Sequence, residues 1–289
     1  MKFRYLFLLV FASQLCLAQN IESFGVFGGF NIPFTIDQGL KKDLRYYGKF
    51  TIRGTPFGFN YGYDKSGYGF VITPQFLQIG QKYTIHNTTG GEVGTRDINM
   101  NFISVPVALK IHINDIAFFR LSMVAALNFQ YLIKGQETIS HSASKLKYPA
   151  SVYIPTTAGY SQVYDGVFVP DISKEVYVSK DKFNPFQIFA AVGLRSDFDL
   201  NDDWSLNFDG RANFGILDPR KLEYIDQLKQ PTDAPDIYGQ RRDVYLSGSI
   251  GIARIIQIKE KFKHRSSGKT VGNKFYPRDR DKGRPKPRS

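Results

Sequence analysis

The feature that most constrains this chain is a set of eight stretches in which apolar and polar residues alternate, joined by connections that are short and long in turn. Asp64-Lys65-Ser66-Gly67 separates the second stretch from the third, Asn114-Asp115 the fourth from the fifth, and Asn201-Asp202-Asp203 the sixth from the seventh. The intervening connections, 34–53, 86–99, 135–182 and 218–241, are far longer. Period-two alternation marks β-strands with one apolar face. A strict short-long rhythm is expected of an antiparallel barrel crossing a membrane, whose two rims meet different surroundings.

The strand faces support that reading. Phe57, Phe59, Tyr61 and Tyr63 oppose Gly58, Asn60, Gly62 and Asp64; Ile103, Val105, Val107, Leu109 and Ile111 oppose Ser104, Ala108, Lys110 and His112. Val192, Leu194 and Phe198 oppose Gly193, Arg195, Asp197 and Asp199, and Leu206, Phe208 and Phe214 oppose Asn207, Asp209, Arg211 and Asn213. Charges and glycines share the polar face, as a crowded lumen requires. Tyr61, Tyr63, Tyr68, Phe198 and Trp204 lie near strand ends, where an aromatic girdle belongs. Pro74 interrupts the third stretch, where a phase shift near Phe76-Leu77 predicts a bulge, and Pro106 faces inward in the fourth at the loss of one ladder hydrogen bond.

Eight strands enclose a lumen just wide enough to be filled by side chains. Lys110, Arg120, Arg195, Asp197, Asp209 and Arg211 are therefore expected to pair across it, since an unpaired buried ion costs several kcal/mol. A diffusion pore is not expected.

The ends of the chain add location. Met1-Lys2-Phe3-Arg4, an apolar run from Tyr5 to Ala12, and Cys16-Leu17-Ala18 read as a secretion signal over 1–18. The apolar run is too short to span a bilayer, which takes about 20 residues. The only cysteine, Cys16, falls inside this signal, so disulfides cannot hold the exported chain together. The formal charge of +12 is concentrated: Lys259 to Ser289 carries twelve Lys or Arg against three acids, a net +9. Because that basicity belongs to one Pro/Gly-rich tail of an exported chain, no nucleic-acid partner is expected. The predicted organisation is a barrel over 19–258, an outer loop over 135–181, and a basic tail over 259–289, with both termini periplasmic. The barrel's first partner is outer-membrane lipid.

Catalytic and metal chemistry find little support, and no catalytic residue, cofactor or metal site is assigned. His86 sits in a loop, His112 points into the lumen, His141 has serines beside it but no placed acid, and His264 lies in the tail. No pair of histidines has metal-ligand spacing. Two segments exceed what a barrel needs. In the long loop, Tyr153, Tyr160, Tyr164, Phe168 and Tyr177 are the candidate partner contacts. In the tail, Lys261, Phe262, Lys263, Arg265, Lys274, Phe275, Tyr276 and Arg278 mix charge with aromatic groups and are expected to order on a periplasmic partner.

Gly25-Val26-Phe27-Gly28-Gly29-Phe30-Asn31 and Ile103-Ser104-Val105-Pro106-Val107-Ala108-Leu109-Lys110 resemble the Gly-rich first strand and the "IPxxLK" middle strand of the PorT-like outer-membrane barrels of Bacteroidota, over roughly residues 20–256. The resemblance implies the same eight-stranded barrel and an association with type IX secretion. The function expected is a non-enzymatic scaffold or accessory subunit of an envelope protein-export or outer-membrane assembly complex, contacting other envelope proteins and neighbouring barrels. The alternative is a stand-alone surface barrel that binds an external ligand or surface through its long third loop.

Overall fold

The computed structural model describes residues 21–116, 118–155, 159–230 and 234–257. The signal segment and the basic tail, with Lys261, Phe262, Lys263, Arg265, Lys274, Phe275, Tyr276 and Arg278, lie outside them.

The main strands form a closed antiparallel circuit. β1 (Ile21–Asp37) pairs with β3 (Phe57–Lys65), which pairs with a stave made of β4 (Tyr68–Ile72) and β5 (Gln75–Ile79). That stave pairs with β7 (Glu92–Ile116), and the circuit continues through β8 (Phe119–His141), β13 (Phe186–Asp199), β14 (Trp204–Gly215) and β15 (Arg241–Gln257). β15 closes on β1 in unbroken register from Ile21↔Gln257 to Asp37↔Arg241. Counting β4 and β5 as one interrupted stave gives eight staves, the all-β barrel that the alternation predicts. Closure leaves no free edge in the ring, the condition for a sheet in lipid. Among the described residues no helix is long and apolar enough to cross a membrane.

One turn differs from expectation. Asn114-Asp115 lies within β7, past a register shift between His112 and Asn114, and the chain reverses only after Ile116.

The long connections differ more, and for one physical reason. In β7, Ile103, Val107, Leu109 and Ile111 point outward and are exposed, while Ser104 and Lys110 are buried inside. From Phe102 toward Glu92 the inward positions become apolar (Phe102, Met100 and Ile98, all buried), and the outward ones become Asn99, Asp97 and Thr95. β8 makes the same change at a bulge, where Lys134 pairs with Asn101 and Leu132 with Phe102, leaving Ile133 unpaired. Outward Leu127, Phe129 and Tyr131 then give way to Gln136, Thr138 and Ser140. The adjacent apolar pairs Phe76-Leu77, Phe102-Ile103 and Leu132-Ile133 lie side by side across the ladders and mark this line. Below the line the sheet is apolar outside, as lipid requires; above it the sheet is apolar inside, as water requires.

The supposed phase shift at Phe76-Leu77 is this line. Inward positions stay on one parity from Val71 through Leu77 and Ile79, and only their polarity changes. The segment 86–99 is likewise mostly strand, since β6 (Lys82–His86) pairs with the outer end of β7 and only 87–91 turns. β2 (Tyr46–Lys49) pairs with β6 within the 34–53 connection, which opens with α1 (Gln38–Lys42), capped by Asp37. The 135–181 segment is not a free loop. β8 runs on to His141, β12 (Ile172–Val178) pairs back onto it, and β9 (Ser144–Leu146), β10 (Ser161–Val163) and β11 (Gly166–Val169) make a separate three-stranded sheet. The 218–241 connection contains α2 (Leu222–Leu228).

These parts share one core above the line, including Leu77, Ile98, Phe102, Leu132, Val167, Phe183, Tyr224 and Tyr245. The loop side of the barrel is thus a folded dome.

Candidate functional site

Two clusters of chemistry-bearing residues occupy the molecule, one in the lumen and one in the dome.

In the lumen the inward phase of β3, β7, β13 and β14 brings opposite charges together. Lys110 Nζ lies 2.8 Å from Asp64 and 3.5 Å from Asp197; Arg195 Nε donates to Asp197 Oδ1 at 2.9 Å and its Nη1 lies 3.6 Å from Asp209. Arg211 Nε donates to Asp209 at 2.6 Å, and Arg120 lies between Asp64 (3.7 Å) and Asp115 (3.3 Å). All six lumen residues named from sequence therefore join one network, together with Asp64, which alternation placed on the inward face but not in the network. An apolar cluster of Val71, Ala108, Val124, Ala126 and Ala191 packs inside the wall formed by β4, β7, β8 and β13. A lumen cavity between Asn128, Asn207, Arg211 and Tyr245 measures only about 20 Å³, space for a single water.

His112 Nδ1 sits 2.8 Å from Ser122 Oγ, and its Nε2 lies 3.6 Å from Asp64 Oδ1. The residue types are those of a nucleophilic triad. Ser122 is fully buried, however, and the Asp64 carboxylate is already bound by Lys110. No substrate carbonyl reaches that hydroxyl, so the trio belongs to the packing of the lumen. Among the described residues no three His, Cys, Asp or Glu side chains are grouped to hold a metal.

The dome carries a second buried ion network. Arg96 from β7 donates to Glu137 from β8, and at 2.9 and 2.7 Å to the two carboxylate oxygens of Asp236 from the last connection. Arg241 at the start of β15 donates to the other Glu137 oxygen at 2.5 Å. Burial raises the Glu137 pKa, but the two guanidiniums overcome it and hold the group at about 2. Tyr46 stacks between the guanidiniums of Arg45 and Arg96, each 5.0 Å from its ring centre, and burial pushes its phenol up to about 12. Tyr177 donates to the Pro235 carbonyl and packs 4.7 Å from Arg96. One cluster thereby ties three connections to the barrel wall.

Beside it opens a cavity of about 150 Å³. Its buried floor is Ile85, Ile139 and Leu146; Tyr46, Tyr148, Tyr153, Tyr160 and Tyr177 stand around it with Arg45, His141 and Glu175. Arg45 is held by bidentate contact with Asp43, at 2.7 to 3.2 Å, and lies 4.1 Å from the Tyr148 ring. Burial lowers the His141 pKa. Of the five aromatic residues singled out in the long loop, Tyr153, Tyr160 and Tyr177 line this cavity. Tyr164 stands almost wholly exposed at the β10–β11 hairpin tip, and Phe168 is partly exposed on β11. Sequence reasoning missed Arg45 and Tyr46, which no spacing connects to the long loop, and Tyr148, which lies within it.

A family model described as outer membrane protein beta-barrel domain matches residues 17–218. No curated protein matches the sequence. Among solved structures, the outer membrane protein OprG from Pseudomonas aeruginosa is similar at 10% identity, over 84% of this chain and 99% of that one, with a TM-score of 0.41. Ail, the attachment invasion locus protein of Yersinia pestis, is similar at 11% identity over 81% and 98% of the two chains, TM-score 0.32. The outer membrane protease OmpT from Escherichia coli is similar at 8% identity over 84% and 100%, TM-score 0.35. At those scores the family match alone carries the assignment.

Proposed function

Because the chain belongs to the outer membrane protein β-barrel family, we propose that it is a pore-less, non-enzymatic barrel presenting a preorganised recognition dome to the outside of the cell. The observation that carries this reading is the dome itself. Three connections are tied by Arg96, Glu137, Asp236 and Arg241 around one apolar core, and an aromatic cavity opens beside them. Ordering these connections before binding reduces the entropy lost on association. The tight turns and both chain termini then face the periplasm.

Cysteine accessibility tests the orientation, since the exported chain has no cysteine of its own. Tyr164→Cys should react with a membrane-impermeant maleimide on intact cells, and Ser289→Cys only after lysis; the reverse pattern overturns the reading. Recognition is tested by replacing 144–171 with a short Gly/Ser linker. The shortened barrel should still assemble but lose adhesion of expressing cells to the surfaces that wild type binds.

The export or assembly subunit reading rests on the +9 tail and the PorT-like resemblance. Gentle extraction with and without 259–289 separates the two. A stoichiometric envelope partner lost with the tail favours the subunit, and a barrel that purifies alone with intact adhesion favours the surface binder.

A further inference from the structure

We propose that the dome cavity is a binding site for one neutral, hydroxylated pyranose ring, either a free sugar or the exposed residue of a glycan. The inference rests on the surface-binder reading and gives that site its ligand class.

Charge decides the class. A cavity walled by tyrosines is at first sight a cage for a cation. Here the protein's own guanidiniums already take faces of three of the five rings: Arg45 lies over Tyr46 and Tyr148, and Arg96 over Tyr46 and Tyr177. A bound ammonium would share the cavity with the Arg45 guanidinium, which lines it. An anion fares no better. Arg45 is committed to Asp43 through both carboxylate oxygens, Arg96 is committed to Glu137 and Asp236, and Glu175 contributes a negative charge at the mouth. His141 adds no positive charge near neutrality, because burial lowers its pKa. A neutral occupant remains.

The lining specifies more. Among the described residues no cation lies over the Tyr153 or Tyr160 ring and no side chain bonds their hydroxyls, so each offers an apolar face and a polar tip. Glu175 is exposed and accepts hydrogen bonds; His141 uses Nδ1 toward the Ser142 carbonyl at 3.2 Å, which leaves Nε2 for a ligand. A pyranose has C–H faces that stack on aromatic rings and equatorial hydroxyls that both donate and accept. A purely apolar molecule would cover the Tyr153 and Tyr160 hydroxyls without giving them partners. At about 150 Å³ the cavity has room for several waters or one ring.

The test uses the full chain in detergent, with saturation-transfer NMR and calorimetry against the methyl glycosides of glucose, galactose, mannose and N-acetylglucosamine, each to 50 mM. At least one should bind in the millimolar range. Tyr153→Ala and Tyr160→Ala should each weaken it tenfold or more, and Glu175→Gln about threefold. Tyr164→Ala, outside the cavity, should leave it unchanged. Titration with lipopolysaccharide and with neutral oligosaccharides distinguishes a membrane glycan from a soluble one.

Absence of binding by every sugar, or equal binding by the cavity variants and wild type, overturns the proposal. Adhesion of cells carrying Tyr153→Ala and Tyr160→Ala together separates the two levels. If the sugar site fails while adhesion persists and still requires 144–171, the dome recognises its partner by another surface. If adhesion never depended on 144–171, the surface-binder reading fails with it.

Discussion

Glu137 is the residue on which the dome most depends, because among the described residues it alone gives its carboxylate to both Arg96 and Arg241. Without it Arg96 keeps Asp236 and Arg241 keeps Asp243 at 3.4 Å, a loss smaller than the ~3–5 kcal/mol of a fully broken buried pair. Glu137→Gln should therefore loosen the dome without dissolving the barrel. The expected readout is rapid limited proteolysis between 142 and 185 while the heat-modifiable barrel band persists; a dome as resistant as wild type would refute it. The pH dependence has a fixed sign. The folded Glu137 titrates at about 2, below its ordinary 4.5, so its contribution is complete above about 4.5 and is lost as pH falls toward 2. The depression corresponds to about 3 kcal/mol. Near-UV dichroism of the dome tyrosines should fall over that window in wild type and not in Glu137→Gln. The lumen residues were legible in sequence because strand parity alone puts Lys110, Arg195 and Asp209 in the bore. Glu137 and Arg96 were not, since both fall in segments whose polarity reads as connection.

At the scale of elements, the reversal at Phe102-Ile103 and Leu132-Ile133 explains why strand ends were misplaced. Tracing apolar residues as outward-facing works for β3, β13, β14 and β15, where the readable part of each strand meets lipid. Applied from Phe102 toward Glu92, the same rule sees Phe102, Met100 and Ile98 on the wrong face and ends the strand early. Two adjacent apolar residues in each of three neighbouring strands were the available signal for a change of solvent. The bulge gives a sharp test. Ile133 is unpaired, so deleting it joins Leu132 (in) to Lys134 (out) and preserves every face of β8. Deleting Gln136 instead turns Glu137 and Ile139 outward and Thr138 and Ser140 inward. Barrel assembly should survive both deletions, but only the first should keep a protease-resistant dome. Similar proteolysis of the two variants would show that parity above the line is not what organises the dome.

For the whole molecule, two independent closures lie in series along the bore. The lower is the charge network with its Val71–Ala108–Val124–Ala126–Ala191 cluster, and the upper is the apolar core of the dome. An eight-stave barrel leaves little spare width once its inward side chains are in place, and the lumen cavity beside Arg211, about 20 Å³, has room for a single water. Wild-type protein reconstituted in planar bilayers should thus show no stepwise conductance at 100 mV in 1 M salt. The variant lacking 144–171 should be silent too, because the lower closure does not involve those residues. Arg195→Gly with Arg211→Gly is different. It removes both guanidiniums that neutralise Asp209, leaves Asp197 paired with Lys110 alone, and opens width where β13 and β14 face the bore. Brief, cation-selective openings are expected from this double variant alone. Steady conductance from wild type would mean that the lumen side chains part under voltage, and would make the barrel a channel rather than a mount for its dome.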